Sequence, residues 1–102
     1  MNVIADIAII PIGVGVSLSR YVAACEQIFQ DAGLEPQLHP NGTNVEGEWD
    51  VVFNALKECH ETLHAMDAPR VSSNLRVGTR VDKVQTMQDK ITSVKAKINT
   101  TD

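Results

Sequence analysis

Aromatic side chains are scarce in this 102-residue chain: Tyr21, Phe29, Trp49 and Phe53 are the full set. A core must therefore be built from Ile, Val, Leu and Ala. Cysteine is nearly lacking too. Cys25 and Cys59 have neither metal nor redox spacing, and both fall on helical apolar stripes. That pattern reads as two reduced core residues of a cytoplasmic protein. Basic residues are outnumbered: nine Lys and Arg stand against thirteen Asp and Glu, a net charge of −4. Nucleic-acid binders present a positive field and basic runs interleaved with aromatics, so no nucleic-acid partner is expected. A long hydrophobic run is also missing. The stretch Ile7 to Val16 is interrupted by Pro11, Gly13 and Gly15, and a bilayer span takes about 20 apolar residues. The start, MNVIAD, lacks a basic n-region, and Asp6 stands where an apolar h-region would lie, so neither signal peptide nor membrane partner is expected.

What remains is ordinary for a folded domain. Hydrophobic residues make up 43% and charged residues 22%, which fits one domain over 1–102. Residues 2–12 are β-branched and apolar at nearly every position except Asp6, as in a central strand covered on both faces. After the loop Gly13 to Val16, the spacing of Leu18, Tyr21, Val22, Cys25, Ile28, Phe29 and Ala32 predicts a helix over 18–32. Ser17 is its expected N-cap, Val16 and Tyr21 its hydrophobic staple, and Gly33 its C′ residue. Two short strands, 34–39 and 43–47, flank the turn residues Pro40-Asn41-Gly42. A second helix over 48–66 carries Trp49, Val52, Phe53, Leu56, Cys59, Leu63 and Met66 on one stripe. Residues 70–81 alternate as a strand, with Arg70, Arg76 and Arg80 on one face. A last helix over 83–98, with Asp82 and Gln85 as its capping box, shows a narrow stripe of Val84, Met87, Ile91, Val94 and Ile98.

This order defines an α+β, ferredoxin-like βαββαβ sandwich with an additional C-terminal helix. The first and third strands are central and two helices cover one face. The first strand is apolar on both sides, so the other face needs a cover. A second subunit is the expected cover, and a homo-oligomer follows.

Four motifs bear on chemistry. His60-Glu61-Thr62-Leu63-His64 matches the H-E-x-x-H pattern of zinc hydrolases. No third ligand stands in the expected context, the chain is small for a peptidase with a substrate cleft, and half-exposed surface histidines account for the match better. Gly13-Val14-Gly15 lies between a strand and a helix but lacks the third glycine and the lysine of phosphate loops. It reads as a tight connection whose N–H groups, with Ser17 and Ser19, can line a small polar site. Asp6, on a buried strand, needs a partner. The arginines of the last strand supply one as an ion-pair network, or else form an anion site. Finally, Thr43 and Glu46 bracket a strand start, where a carboxylate can accept from an exocyclic amine and a protonatable ring nitrogen.

The segment Gly42-Thr43-Asn44-Val45-Glu46-Gly47-Glu48-Trp49-Asp50 resembles the G-T-x-[VI]-E-G-x-W-[DE] pattern of the thiamine-binding protein family, small proteins of the YkoF-like superfamily. Further segments agree in order: Ile10-Pro11-Ile12-Gly13, Ser17-Leu18-Ser19, Tyr21-Val22-Ala23, His60, Arg70-Val71, Arg76 to Lys83, and Gln88-Asp89-Lys90-Ile91. The resemblance implies a ferredoxin-like fold and a homotetramer built as a dimer of dimers. It also implies binding of a small-molecule ligand, thiamine or its hydroxymethylpyrimidine part, with no catalysis, no metal and no separate cofactor. On that reading Glu46 meets the aminopyrimidine, while Thr43, Gly42, Ser17, Ser19 and the Gly13 loop complete the site. A self-assembling structural or regulatory module without a small ligand is the alternative, and a zinc hydrolase using His60, Glu61 and His64 is a less favoured one.

Overall fold

The structure is a computed structural model that describes residues 1–98. Its elements are β1 (Asn2–Ile12), α1 (Ser19–Asp31), β2 (Gln37–His39), β3 (Gly42–Glu48), α2 (Trp49–Ala65), β4 (Arg70–Thr79) and α3 (Met87–Ile98). The four strands form one antiparallel sheet in the order β2-β3-β1-β4. This is the expected ferredoxin-like arrangement, with β1 and β3 central.

Period-2 alternation divides β1 cleanly. Val3, Ala5 and Ile7 are buried beneath α1 and α2, where they meet Val45 of β3. From the helices come Tyr21, Cys25, Ile28 and Phe29, then Val52, Ala55, Cys59 and Leu63. Full burial of a Val, Leu, Ile or Phe side chain contributes about 1.5–3 kcal/mol. The few aromatics matter accordingly: Phe29 is the largest fully buried side chain.

The helix ends depart in part from the sequence expectation. Leu18, not Ser17, occupies the N-cap of α1, and no side chain caps it. Val16 is fully exposed, so its staple with Tyr21 does not form. The exit does follow expectation. Gly33, at φ 77°, closes a Schellman motif in which the Gly33 N–H bonds Gln30 O and the Leu34 N–H bonds Phe29 O. Helix α2 ends the same way with Asp67 in the left-handed position: Asp67 donates to His64 O and Ala68 to Leu63 O. Helix α3 begins four residues later than expected. Its reciprocal cap is Thr86 with Asp89: the Thr86 N–H bonds Asp89 Oδ2 and the Asp89 N–H bonds Thr86 Oγ1. Asp82 and Gln85 are drawn off by Arg80 instead, and Val84 is exposed.

The second sheet face carries Ile4, Asp6 and Ala8 of β1, Asn44 and Glu46 of β3, and Arg76 and Gly78 of β4. Helix α3 reaches over this face from one end. The Glu46 carboxylate accepts from the Met87 N–H at 3.1 Å, and Met87 is buried. Farther along α3, Val94 and Ile98 are exposed.

Candidate functional site

A cavity of about 890 Å³ opens on the helix side of the sheet, between α1, the inner strands and the β2–β3 turn. Its walls are largely apolar: Ile7, Val22, Phe29 and Leu38 contribute. Leu38 is left exposed at the rim. Such cavities gain specificity from a few placed polar groups. Here those groups are Ser19, Glu26 and Thr43, while His39 borders the cavity with its ring turned to Asp6 on the other sheet face.

Glu26 is the chemically distinctive member. The Thr43 hydroxyl, itself buried, donates to both carboxylate oxygens at 3.1 and 3.2 Å. Partial burial pushes the Glu26 carboxyl above the ordinary carboxylate range, while the Thr43 hydrogen bond and the charge of His39 pull it down. The outcome is a carboxyl readier than usual to hold or share a proton, fixed in place by a neighbour. Thr43 therefore fixes the orientation of the Glu26 carboxyl.

The β2–β3 turn is shaped by a second carboxylate. His39 Nε2 lies 2.8 Å from Asp6 Oδ1, crossing over β3 at Gly42. A Cβ on Gly42 would stand 2.9 Å from the Ile7 carbonyl oxygen and 3.2 Å from both Asp6 Oδ1 and His39 Cε1. Only glycine fits beneath this pair. Asp6 thus takes His39 as its partner and not the β4 arginines of the sequence expectation, although Arg76 is its register neighbour.

Of the residues proposed from sequence, Ser19, Gly42 and Thr43 line this cavity. Ser17 and Gly13 do not. Gly13, at φ 90°, is packed against Pro69, whose Cγ would lie 2.9 Å from an added Cβ. Glu46 belongs to the other sheet face, where it holds the start of α3. Thr43 and Glu46 are three apart on a strand, so alternation places them on opposite faces. Sequence reasoning missed Glu26. Its signal was a carboxylate four residues after Val22 and three before Phe29, at the edge of the apolar stripe of α1.

The remaining motifs are engaged elsewhere. His60 Nε2 bonds the Ser73 hydroxyl, and His64 Nδ1 donates to Ala68 O at 2.8 Å. Among the described residues no three His, Cys, Asp or Glu side chains are grouped to hold a metal ion. Trp49 and Phe53 stack on each other, with centroids 4.6 Å apart. Cys25 and Cys59 are both free and buried, and the Cys59 thiol donates to Cys25 O at 4.0 Å. Hydrogen bonding to Cys25, then burial, pushes the Cys59 thiol up and keeps it neutral.

A ferredoxin-like sandwich with a mostly apolar helix-side cavity and one hydroxyl-held carboxyl places the chain among small α+β domains with a single-sheet, two-layer core. Comparison with known proteins narrows the class. The chain belongs to the thiamine-binding protein family, whose model matches residues 5–95. A UPF0045 protein of Synechocystis is 54% identical over 94 residues, covering 92% of this chain and 78% of the relative. The structure of a hypothetical protein from Methanocaldococcus jannaschii superposes with a TM-score of 0.85 at 35% identity, covering 92% of this chain and 96% of that one. A Thermotoga maritima protein, whose name proposes a role in thiamine biosynthesis or salvage, shares the fold at a TM-score of 0.78 and 20% identity, with 92% and 99% covered.

Proposed function

We propose that this chain is a non-enzymatic binding protein that holds thiamine, or its hydroxymethylpyrimidine part, in the helix-side cavity. The observation that carries the reading is the Thr43-held carboxyl of Glu26 within an otherwise apolar wall. An aminopyrimidine presents an amine donor beside a protonatable ring nitrogen. A carboxyl inclined to share a proton satisfies both at once, and a buried polar group left unpaired costs about 1–3 kcal/mol. Ser19 and the Gly42 backbone offer further polar contacts. The thiazolium cation of thiamine is drawn to a chain of net charge −4. The family's name supports the same ligand.

The test is calorimetric titration with thiamine and with hydroxymethylpyrimidine, in metal-free buffer. The wild type should bind saturably, and Glu26→Gln should weaken binding about tenfold or more. Thr43→Val should weaken it less, because the carboxyl remains but loses its fixed orientation. Equal affinities for wild type and Glu26→Gln would remove the assignment.

Self-assembly accompanies this reading. We infer a homo-oligomer from the apolar surface left open: Ile10 and Ile12 of β1 and Val94 and Ile98 of α3 are all exposed. A dimer of dimers in the cytoplasm is the arrangement we propose for it, on the family resemblance. Among the described residues no helix is long and apolar enough to cross a membrane.

A further inference from the structure

The opposite face of the sheet holds a second cleft, of about 660 Å³, beneath the start of α3. Its chemistry is the reverse of the first. Ile4 and Gly78 form the floor, Met87 and Ile91 the roof, and four of the chain's nine Lys and Arg line it: Arg76, Arg80, Lys83 and Lys90.

Not all four cations are free. Asp82 grips Arg80 with two hydrogen bonds, at 2.5 and 2.8 Å, and Gln85 takes a third. Lys83 lies close enough to Asp82 and Asp89 to help pull both carboxyls down. Arg76 and Lys90 differ. The acid in register with Arg76 is Asp6, and His39 has claimed it. Among the described residues neither Arg76 nor Lys90 has an ion-pair partner. A net-acidic chain has thus gathered four cations around a cleft whose one lining acid, Asp6, is paired with His39.

Gly78 points the same way. It lies inside β4 with no left-handed backbone to require glycine, and the atom nearest to an added Cβ is Ile4 O at 4.0 Å. Glycine within a strand weakens it unless something must approach closely. Here it leaves the floor open.

We propose that this cleft binds a phosphorylated small organic molecule, its phosphate between Arg76 and Lys90 and its apolar body on Ile4, Met87 and Ile91. Arginine offers a bidentate fork to phosphate oxygens and lysine a point charge. The pinned Arg80 and Lys83 add a positive field at one end. This site is independent of the helix-side cavity and stands on its own observations.

Calorimetry with phenyl phosphate, inorganic phosphate and phenol tests it. Phenyl phosphate should bind one site, about tenfold more tightly than inorganic phosphate, and phenol should not bind measurably. Arg76→Gln and Lys90→Gln should each weaken phenyl phosphate about tenfold, as expected for loss of a charged hydrogen bond. Gly78→Val, a change favourable to a strand, should abolish binding by filling the floor. Lys57→Gln, on the exposed side of α2, controls for net charge and should change nothing. Glu26→Gln should also leave phenyl phosphate binding intact, which separates this site from the thiamine reading. Equal affinity for phenyl and inorganic phosphate would overturn the organic ligand. Equal losses with Lys57→Gln, binding indifferent to Arg76→Gln and Gly78→Val, or no saturation at millimolar ligand would overturn the site.

Discussion

Asp67 sits at φ 71° at the end of α2, where its N–H closes the helix onto His64 O. Glycine takes this conformation freely and aspartate does not, so Asp67→Gly should stabilise the fold by about 0.5–1 kcal/mol in urea denaturation. No change would mean the Asp67 side chain contributes something that offsets its backbone strain. Glu26 makes a prediction of opposite character. Its folded carboxyl titrates above the ordinary value of 4.5. Above that value the folded state retains more proton than the unfolded one, so stability falls as pH rises through this window. Glu26→Gln removes the ionised form. It should therefore match the wild type near pH 4 and exceed it in thermal stability near pH 7, while losing ligand affinity. A mutant less stable at pH 7 than at pH 4, relative to wild type, would contradict the burial argument. This residue was the hardest to read from the chain. A carboxylate at the edge of an apolar stripe looks like a surface charge until the strand opposite supplies a hydroxyl.

At the scale of elements, strand and helix existence was written plainly in periodicity. The 2-residue alternation of 70–81 and the i, i+3, i+4 stripes of the first two helices survive almost unchanged. Caps were less legible, because several polar residues compete for one helix start. At α3, Asp82 and Gln85 had the right spacing, but Arg80 binds both, and Thr86 with Asp89 does the capping. Asp82 is drawn so strongly by Arg80 that its carboxyl is lowered to about 2. Thr86→Ala should therefore cost α3 about 1 kcal/mol, read as faster amide exchange across its first turns. Asp82→Ala should leave those amides unchanged. Glu46→Ala should loosen α3 as well, since its carboxylate holds the Met87 N–H. Unaltered exchange in Glu46→Ala would show that α3 is held by other contacts.

The whole molecule is less compact than its length predicts. A chain of this size has a radius of gyration of about 13 Å when globular, against 15.6 Å here, with extents of 53 × 30 × 19 Å. The outer part of α3 is responsible in part, with Val94 and Ile98 exposed rather than packed. Sequence reasoning anticipated an uncovered face from the doubly apolar first strand. It did not foresee that α3 covers only one end of that face. A second copy is the simplest cover for the rest. Ile91→Glu with Val94→Glu should reduce the mass found by light scattering, and an unchanged oligomer would place the interface elsewhere.

On the proposed function, the ligand enters from the helix side and meets Glu26 and Thr43. Amide chemical-shift mapping during titration with hydroxymethylpyrimidine tests this most directly. Saturable shifts centred on Ser19, Glu26, Gly42 and Thr43 are expected, with Ile4, Gly78 and Met87 undisturbed. Shifts centred on those last three residues, or none anywhere at saturating ligand, would contradict it.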